Sequence, residues 1–117
     1  MDTEKINRKI AVIFATDVVG FSTAMERDED QTLKSFRVCK NILEDLFNEH
    51  GGRIFNTAGD SILAEFSSAV SAVICASEFQ KLVQERNSSA SLPKNGKMEF
   101  RVGLNMGDVI VEGTNLY

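Results

Sequence analysis

Two aspartates, Asp17 and Asp60, are the residues of this sequence best suited to chemistry. Asp17 comes just after the apolar run 9–15, and Asp60 lies between two strand-like runs, 53–56 and 61–66. If these runs are neighbouring strands, both carboxylates project from one end of a sheet, with no lysine next to either. Paired carboxylate oxygens are the ligands with which proteins hold Mg²⁺ or Mn²⁺ against phosphate oxygens. An aspartate close to a glycine is also common in turns, so the spacing alone leaves both interpretations open.

The residues after Asp17 could add a phosphate-binding group to the same site. Gly20, Phe21 and Ser22 lie where a strand is expected to turn into a helix, and free backbone amides at a helix start favour phosphate. The alternative is a simple strand-to-helix turn, with Phe21 in the core and Ser22 as the N-cap.

Hydrophobic periodicity predicts the elements that position these residues. A strand over 9–15, with both faces buried, is followed by a short helix over 22–27 and a loop over 28–30. The remaining predicted elements are a helix over 31–49, a hairpin over 53–66, a helix over 67–86 and strands over 98–105 and 107–112 joined by a turn at 106–108. This order predicts an α+β fold, a ferredoxin-like (split βαβ) sandwich whose antiparallel-rich sheet has helices on one face.

Composition limits the classes of partner. The chain has 117 residues and a net charge of −4, which fits one domain and provides no broad basic surface for nucleic acid. Cys39 and Cys75 lack metal-site spacing and are predicted to be reduced core thiols, and the apolar run before Asp17 is too short to span a membrane. These features favour a cytoplasmic protein without membrane contact. The single histidine, His50, ends a predicted helix, where a cation complements the helix dipole.

Three blocks of sequence together resemble one family. The blocks are FATDVVGFS (14–22), HGGRIFNTAGDSILAEF (50–66) and FRVGLNMGDVIVEGTNLY (100–117), and they are similar in order to the catalytic domain of bacterial class III adenylate/guanylate cyclases. The resemblance extends from residue 9 to residue 117. Agreement of several separate blocks is far more specific than any single motif.

The resemblance implies a role for each candidate residue. Asp17 and Asp60 match the family's two metal-binding aspartates, and the Val18 carbonyl matches a backbone ligand of the second ion. The amides around Gly20, Phe21 and Ser22 match the triphosphate-binding segment. Two Mg²⁺ or Mn²⁺ ions are therefore expected, and the implied reaction is attack of a ribose 3′-hydroxyl on the α-phosphorus with loss of pyrophosphate.

Two asparagines depart from the family pattern for base selection. Adenylyl-specific members carry Lys and Asp where this sequence has Asn56 and Asn115. An asparagine amide can pair with adenine or with guanine, depending on its orientation, so these residues leave ATP and GTP open. The bacterial type of the domain favours ATP and an adenylate cyclase.

The resemblance also implies a homodimer whose active sites are shared between two subunits. The family continues with a glycine-rich turn and a helix bearing the Asn and Arg that stabilise the transition state, and no segment here matches them. Residues 1–117 are therefore expected to be the N-terminal and central part of the domain, weakly dimeric, and inactive or weak alone. The alternatives are an inactive nucleotide-binding regulatory domain and an interaction or RNA-binding module of the same fold class.

Overall fold

The first strand organises the sheet, because it pairs with a neighbour on each side. The computed structural model describes residues 7–117, in which β1 is antiparallel to β3 on one side and to β4 on the other. The elements are β1 (Asn7–Val18), α1 (Phe21–Arg27), α2 (Glu29–His50), β2 (Arg53–Ala58), β3 (Ser61–Phe66), α3 (Ala69–Asn87), β4 (Phe100–Glu112) and β5 (Asn115–Leu116).

The strand order is β2-β3-β1-β4-β5, and every neighbouring pair is antiparallel. The β2–β3 hairpin places β3 between β1 and β2, which are linked through α1 and α2. This is the split βαβ arrangement, and the predicted α+β ferredoxin-like fold is confirmed. No helix within residues 7–117 combines the length and the apolar character needed to cross a membrane.

Phenylalanines form the centre of the core between the sheet and the helices. Phe14 of β1 is fully buried and packs edge-on against Phe47 of α2, with ring centroids 5.1 Å apart. Phe79 of α3 packs in the same way against Phe100 of β4, at 5.0 Å. These contacts fix both long helices on the sheet, and the two free cysteines, Cys39 and Cys75, are buried in the same core, as predicted.

The sheet buries one face fully and the other only in part, which corrects the prediction that the first strand is buried on both faces. The even-numbered side chains from Val12 to Val18 pack toward the helices, whereas Ile10 is 71% exposed. On the opposite face, a small second cluster joins Ala11 to Val109 and Leu116. Near this cluster the start of β2 contacts the residue before β5, where Arg53 Nη1 donates to the Thr114 carbonyl at 2.8 Å.

The predicted turn at 106–108 is wrong, because β4 runs without interruption from Phe100 to Glu112. Gly107 and Asp108 suggested a turn, but β1 pairs with β4 continuously from Asn7↔Val111 to Val18↔Phe100. This long ladder overrides the local turn preference. The chain reverses instead at Gly113, whose φ of 62° suits glycine.

Two other local predictions are also corrected. Ser22 does not cap α1, because the N-cap is Gly20 in the left-handed conformation. The predicted loop over 28–30 shrinks to Asp28, whose carboxylate accepts a hydrogen bond from the Gln31 amide at 3.1 Å and caps α2. His50 does end α2, but its ring pairs with Glu78 of α3 at 3.0 Å.

Candidate active site

Asp17 lies one residue from the end of the β1–β4 ladder, directly across from Arg101. Its two carboxylate oxygens accept hydrogen bonds from Arg101 Nε at 2.8 Å and Nη2 at 3.1 Å. This bidentate geometry is the strongest form of carboxylate–guanidinium pairing. Hydrogen bonding to Asp17 and the negative charge of Asp17 raise the pKa of Arg101, and the charge of Asp60 adds to this effect.

Asp60 reaches the same end of the sheet from the tip of the β2–β3 hairpin. The tip is tight because Gly59 adopts a positive φ of 56°, and Asp60 follows it directly. The Asp60 carboxylate accepts a hydrogen bond from the Val18 amide at 2.9 Å. The structure therefore places Asp60 against Val18, the residue that follows Asp17, and brings both carboxylates to one end of the sheet.

The residues that follow β1 place the first backbone amides of α1 at the same end of the sheet. Gly20, the N-cap that precedes α1, has a φ of 66° and no side chain with which to cap the helix. The Gly20 carbonyl accepts from the Ala24 amide at 3.0 Å, which starts the helical hydrogen-bond series beyond Phe21 and Ser22. The first amides of a helix have no partner within it. Phe21 itself packs against Phe36, with ring centroids 6.0 Å apart.

A cavity of about 340 Å³ opens beside Asp17 on the face of the sheet that the helices do not cover. Asp17 and Arg101 line one side of it, and Ser61 and Leu63 of β3 line the other. The cavity therefore joins the end of β1 to the hairpin that carries Asp60.

Asn56 and Asn115 lie on strands other than β1, the strand that carries Asp17. Asn56 pairs with Leu63 in the β2–β3 ladder, so its side chain lies on the face of the sheet that carries the cavity, about 10 Å across the sheet from β1. Asn115 pairs with Glu112, at the opposite end of the β1–β4 ladder from Asp17. The contact between Arg53 and Thr114 brings the strands of the two asparagines together.

Arg101 is the residue of the site that sequence reasoning did not identify. Its position in an alternating strand gave no sign of a role, because its partner Asp17 is 84 positions away in the sequence. The available signal was the pairing of opposite charges at the ends of two strands expected in one sheet.

The oxygen ligands at this end of the sheet fit a hard divalent cation. Asp17 and Asp60 would supply carboxylate oxygens and Val18 would supply a carbonyl oxygen, which are ligand types that Mg²⁺ and Mn²⁺ prefer. The Arg101 guanidinium is bound to the Asp17 carboxylate, so a positive charge already lies where a metal cation would be favoured. The Asp17–Arg101 pair is exposed enough to exchange partners, since the Arg101 side chain is 69% accessible.

Comparison with known proteins identifies the family of the chain. The sequence model of the adenylate and guanylate cyclase catalytic domain matches residues 3–115. A candidate adenylate cyclase of Rhizobium meliloti (strain 1021) is 42% identical over the whole chain, which spans 20% of that relative.

Solved structures share the fold. The adenylate/guanylate cyclase/hydrolase from Silicibacter pomeroyi matches with a TM-score of 0.84 and 31% identity, over 97% of this chain and 65% of that one. The guanylyl cyclase Cya2 matches with a TM-score of 0.80 and 26% identity, over 93% of this chain and 59% of that one. The chain thus spans less than two thirds of each of these proteins. It belongs to the adenylate and guanylate cyclase catalytic domain family.

Proposed function

We propose that this chain is part of a purine nucleotide cyclase that converts ATP to cyclic AMP and pyrophosphate. The observation that carries the proposal is the hydrogen bond from the Val18 amide to the Asp60 carboxylate, which sets Asp60 beside Asp17. Family membership supports the same chemistry. ATP is preferred over GTP in this proposal because the relative that is 42% identical is named as a candidate adenylate cyclase.

The carboxylates of Asp17 and Asp60 and the carbonyl of Val18 would hold two Mg²⁺ or Mn²⁺ ions. Such ions supply charge neutralisation at the phosphates and lower the pKa of the attacking 3′-hydroxyl. The ribose 3′-oxygen forms a bond to the α-phosphorus, the bond from the α-phosphorus to the bridging oxygen breaks, and pyrophosphate leaves with that oxygen. The hydroxyl proton is lost to solvent in this scheme.

The chain's own residues position the triphosphate. The amides of Phe21 and Ser22, at the start of α1, face no intrahelical acceptor and are suited to bind phosphate oxygens. If Asp17 held a cation, the exposed Arg101 guanidinium would be free to bind a phosphate oxygen in place of Asp17. We propose Arg101 as a triphosphate-binding residue for this reason.

Base recognition is assigned to Asn56 and Asn115. Asn56 lies on the face of the sheet that carries the Asp17 cavity, and Asn115 lies on the strand that contacts β2. Because Asn115 and Asp17 occupy opposite ends of the β1–β4 ladder, we propose that a complete site combines the carboxylates of one subunit with the asparagines of a second.

The direct test is formation of cyclic AMP and cyclic GMP from ATP and GTP with Mn²⁺, on this chain and on the longest available gene product. Cyclic AMP as the main product would support the proposal, and replacement of Asn56 should change the ratio of the two products. Cyclic GMP as the main product would contradict the choice of ATP. Nucleotide binding without any cyclic product would support an inactive regulatory domain instead.

A further inference from the structure

A second cavity, of about 470 Å³, lies away from the candidate active site. It is bounded by α1, the start of α2 and part of the segment 88–99, which connects α3 to β4. None of the residues that line it also lines the cavity beside Asp17. Its volume is in the range that small-molecule sites occupy.

The cavity is cationic on an acidic chain. Arg27, Lys94 and Lys97 line it, and no carboxylate is among its lining residues in the described part of the chain, whose full sequence has a net charge of −4. The nearby carboxylate of Asp28 accepts from the Gln31 amide and so caps α2. Three cations around one cavity, without a carboxylate lining it, favour an anionic ligand.

Polar and apolar groups share the lining. Thr32, Ser89 and Asn95 contribute hydroxyl and amide groups, which can donate hydrogen bonds to an anion. Ala24, Leu92 and Pro93 contribute an apolar surface beside them. This combination suits a molecule that has an anionic group attached to an apolar body.

The walls of the cavity are held in place by hydrogen bonds to the rest of the fold. Arg86 of α3 donates to the Gly96 carbonyl at 2.9 Å and to the Ser35 hydroxyl at 3.1 Å, and buried Ser35 also donates to Gly96 at 2.9 Å. Asn87 exchanges two hydrogen bonds with the backbone of Met98. A ligand therefore meets a preformed cavity and does not have to order the segment, which favours binding.

We propose that this cavity binds a small organic phosphate. The phosphate lies against Arg27, Lys94 and Lys97, and the apolar body of the ligand lies on Leu92 and Pro93. This site is separate from the proposed cyclase site, so its binding is measured without nucleotide or divalent metal and does not depend on the proposed function.

The test is titration of the 117-residue chain with phenyl phosphate and with inorganic phosphate, followed by amide chemical shifts in NMR spectra. We expect saturable shifts at Lys94, Asn95 and Arg27 with phenyl phosphate. Inorganic phosphate should bind about tenfold more weakly, because it lacks an apolar body to bury. Shifts confined to the surroundings of Arg101 would place the anion at the candidate active site and overturn the proposal.

Charge reversal separates a specific site from general attraction. Lys94→Glu and Lys97→Glu should each weaken phenyl phosphate binding by about tenfold or more, since each replaces a favourable charge contact by a repulsive one. Lys81→Glu is the matched control, because Lys81 is exposed on α3 and does not line the cavity. An equal loss in all three variants, equal affinity for both phosphates, or no saturable binding would overturn the proposal.

Discussion

Arg101 pairs with Asp17, one of the proposed metal ligands. Both donors of the guanidinium edge are used on the two oxygens of one carboxylate, at 2.8 and 3.1 Å. At the proposed site a cation would compete with Arg101 for Asp17, whereas a bound triphosphate would give the guanidinium a new partner. The two ligands of the site should consequently respond to Arg101 in opposite directions.

Replacing Arg101 by alanine should strengthen binding of free Mn²⁺ and weaken binding of the Mn²⁺–ATP complex. We expect a change of about two- to fivefold in each dissociation constant, which is the range for loss of an exposed charge contact. Isothermal titration calorimetry measures both, with Arg37→Ala, an exposed arginine on α2, as the control. A loss of affinity for free Mn²⁺ would show that Arg101 supports the cation site and does not compete with it.

The buried thiol of Cys75 should make the fold sensitive to alkaline pH. Burial raises the pKa of Cys75 from 9.0 to about 11, and the negative charges of Glu78 and Glu49 add to this rise. Between these pH values the unfolded thiol is ionised while the folded thiol keeps its proton, so the free energy of unfolding falls as pH rises.

Cys75→Ala removes this titration and should flatten the dependence of stability on pH in the alkaline range. Urea unfolding at several pH values from 8 to 11, for the variant and for the original chain, measures the two slopes. Parallel slopes would contradict the assignment. The variant should be less stable at neutral pH by about 1 to 2 kcal/mol, because it loses a buried side-chain atom.

At the scale of elements, the turn from α2 into β2 depends on a glycine for reasons of space. A Cβ at Gly52 would lie 2.6 Å from Phe66 Cζ and 2.8 Å from Phe47 Cδ1, both in the core. Gly52→Ala should therefore destabilise the fold by about 1 to 3 kcal/mol through overpacking. Gly107→Ala is the control, because no described atom outside its chain neighbours lies within 4 Å of its Cβ position. Equal stability of the two variants, measured by thermal unfolding, would contradict this packing argument.

The elements that could be predicted from sequence are those whose signal is local. The apolar periodicity of α2 predicted a helix over 31–49, and the structure has Glu29–His50. The length of β4 could not be predicted, because it depends on pairing with β1, about 90 positions earlier in the chain. The same limit applied at the candidate site, where the placement of Asp17 and Asp60 at one end of the sheet was predicted but the Arg101 partner of Asp17 was not.

At the scale of the whole molecule, the placement of the candidate residues argues for a site shared by two chains. Asp17 and Asp60 lie at one end of the sheet, and Asn115 lies beyond the other end of the β1–β4 ladder. A variant that lacks the carboxylates and a variant that lacks the asparagines should therefore complement each other when mixed.

Mixing Asp60→Ala with the double variant Asn56→Ala/Asn115→Ala tests this arrangement. If both variants are inactive alone and exchange subunits freely, half of the dimers are mixed and each has one intact site, which gives about a quarter of the original activity. Cyclic nucleotide formation measures the recovery. No recovery, despite subunit exchange shown by labelled chains, would place the asparagines and the carboxylates in the same subunit's site.

The measurement that tests the central claim most directly is Mn²⁺-dependent cyclic nucleotide formation by Asp60→Asn, on this chain and on the longest available gene product. Asp60→Asn keeps the side-chain shape and an acceptor for the Val18 amide but removes the charge that holds a cation. Asp108→Asn, an exposed aspartate of β4, is the matched control. We predict that Asp60→Asn loses at least about 100-fold of the activity, as expected when a metal ligand is removed, while Asp108→Asn stays within twofold. Full activity of Asp60→Asn would contradict the assignment of Asp60 as a metal ligand and, with it, the proposed mechanism.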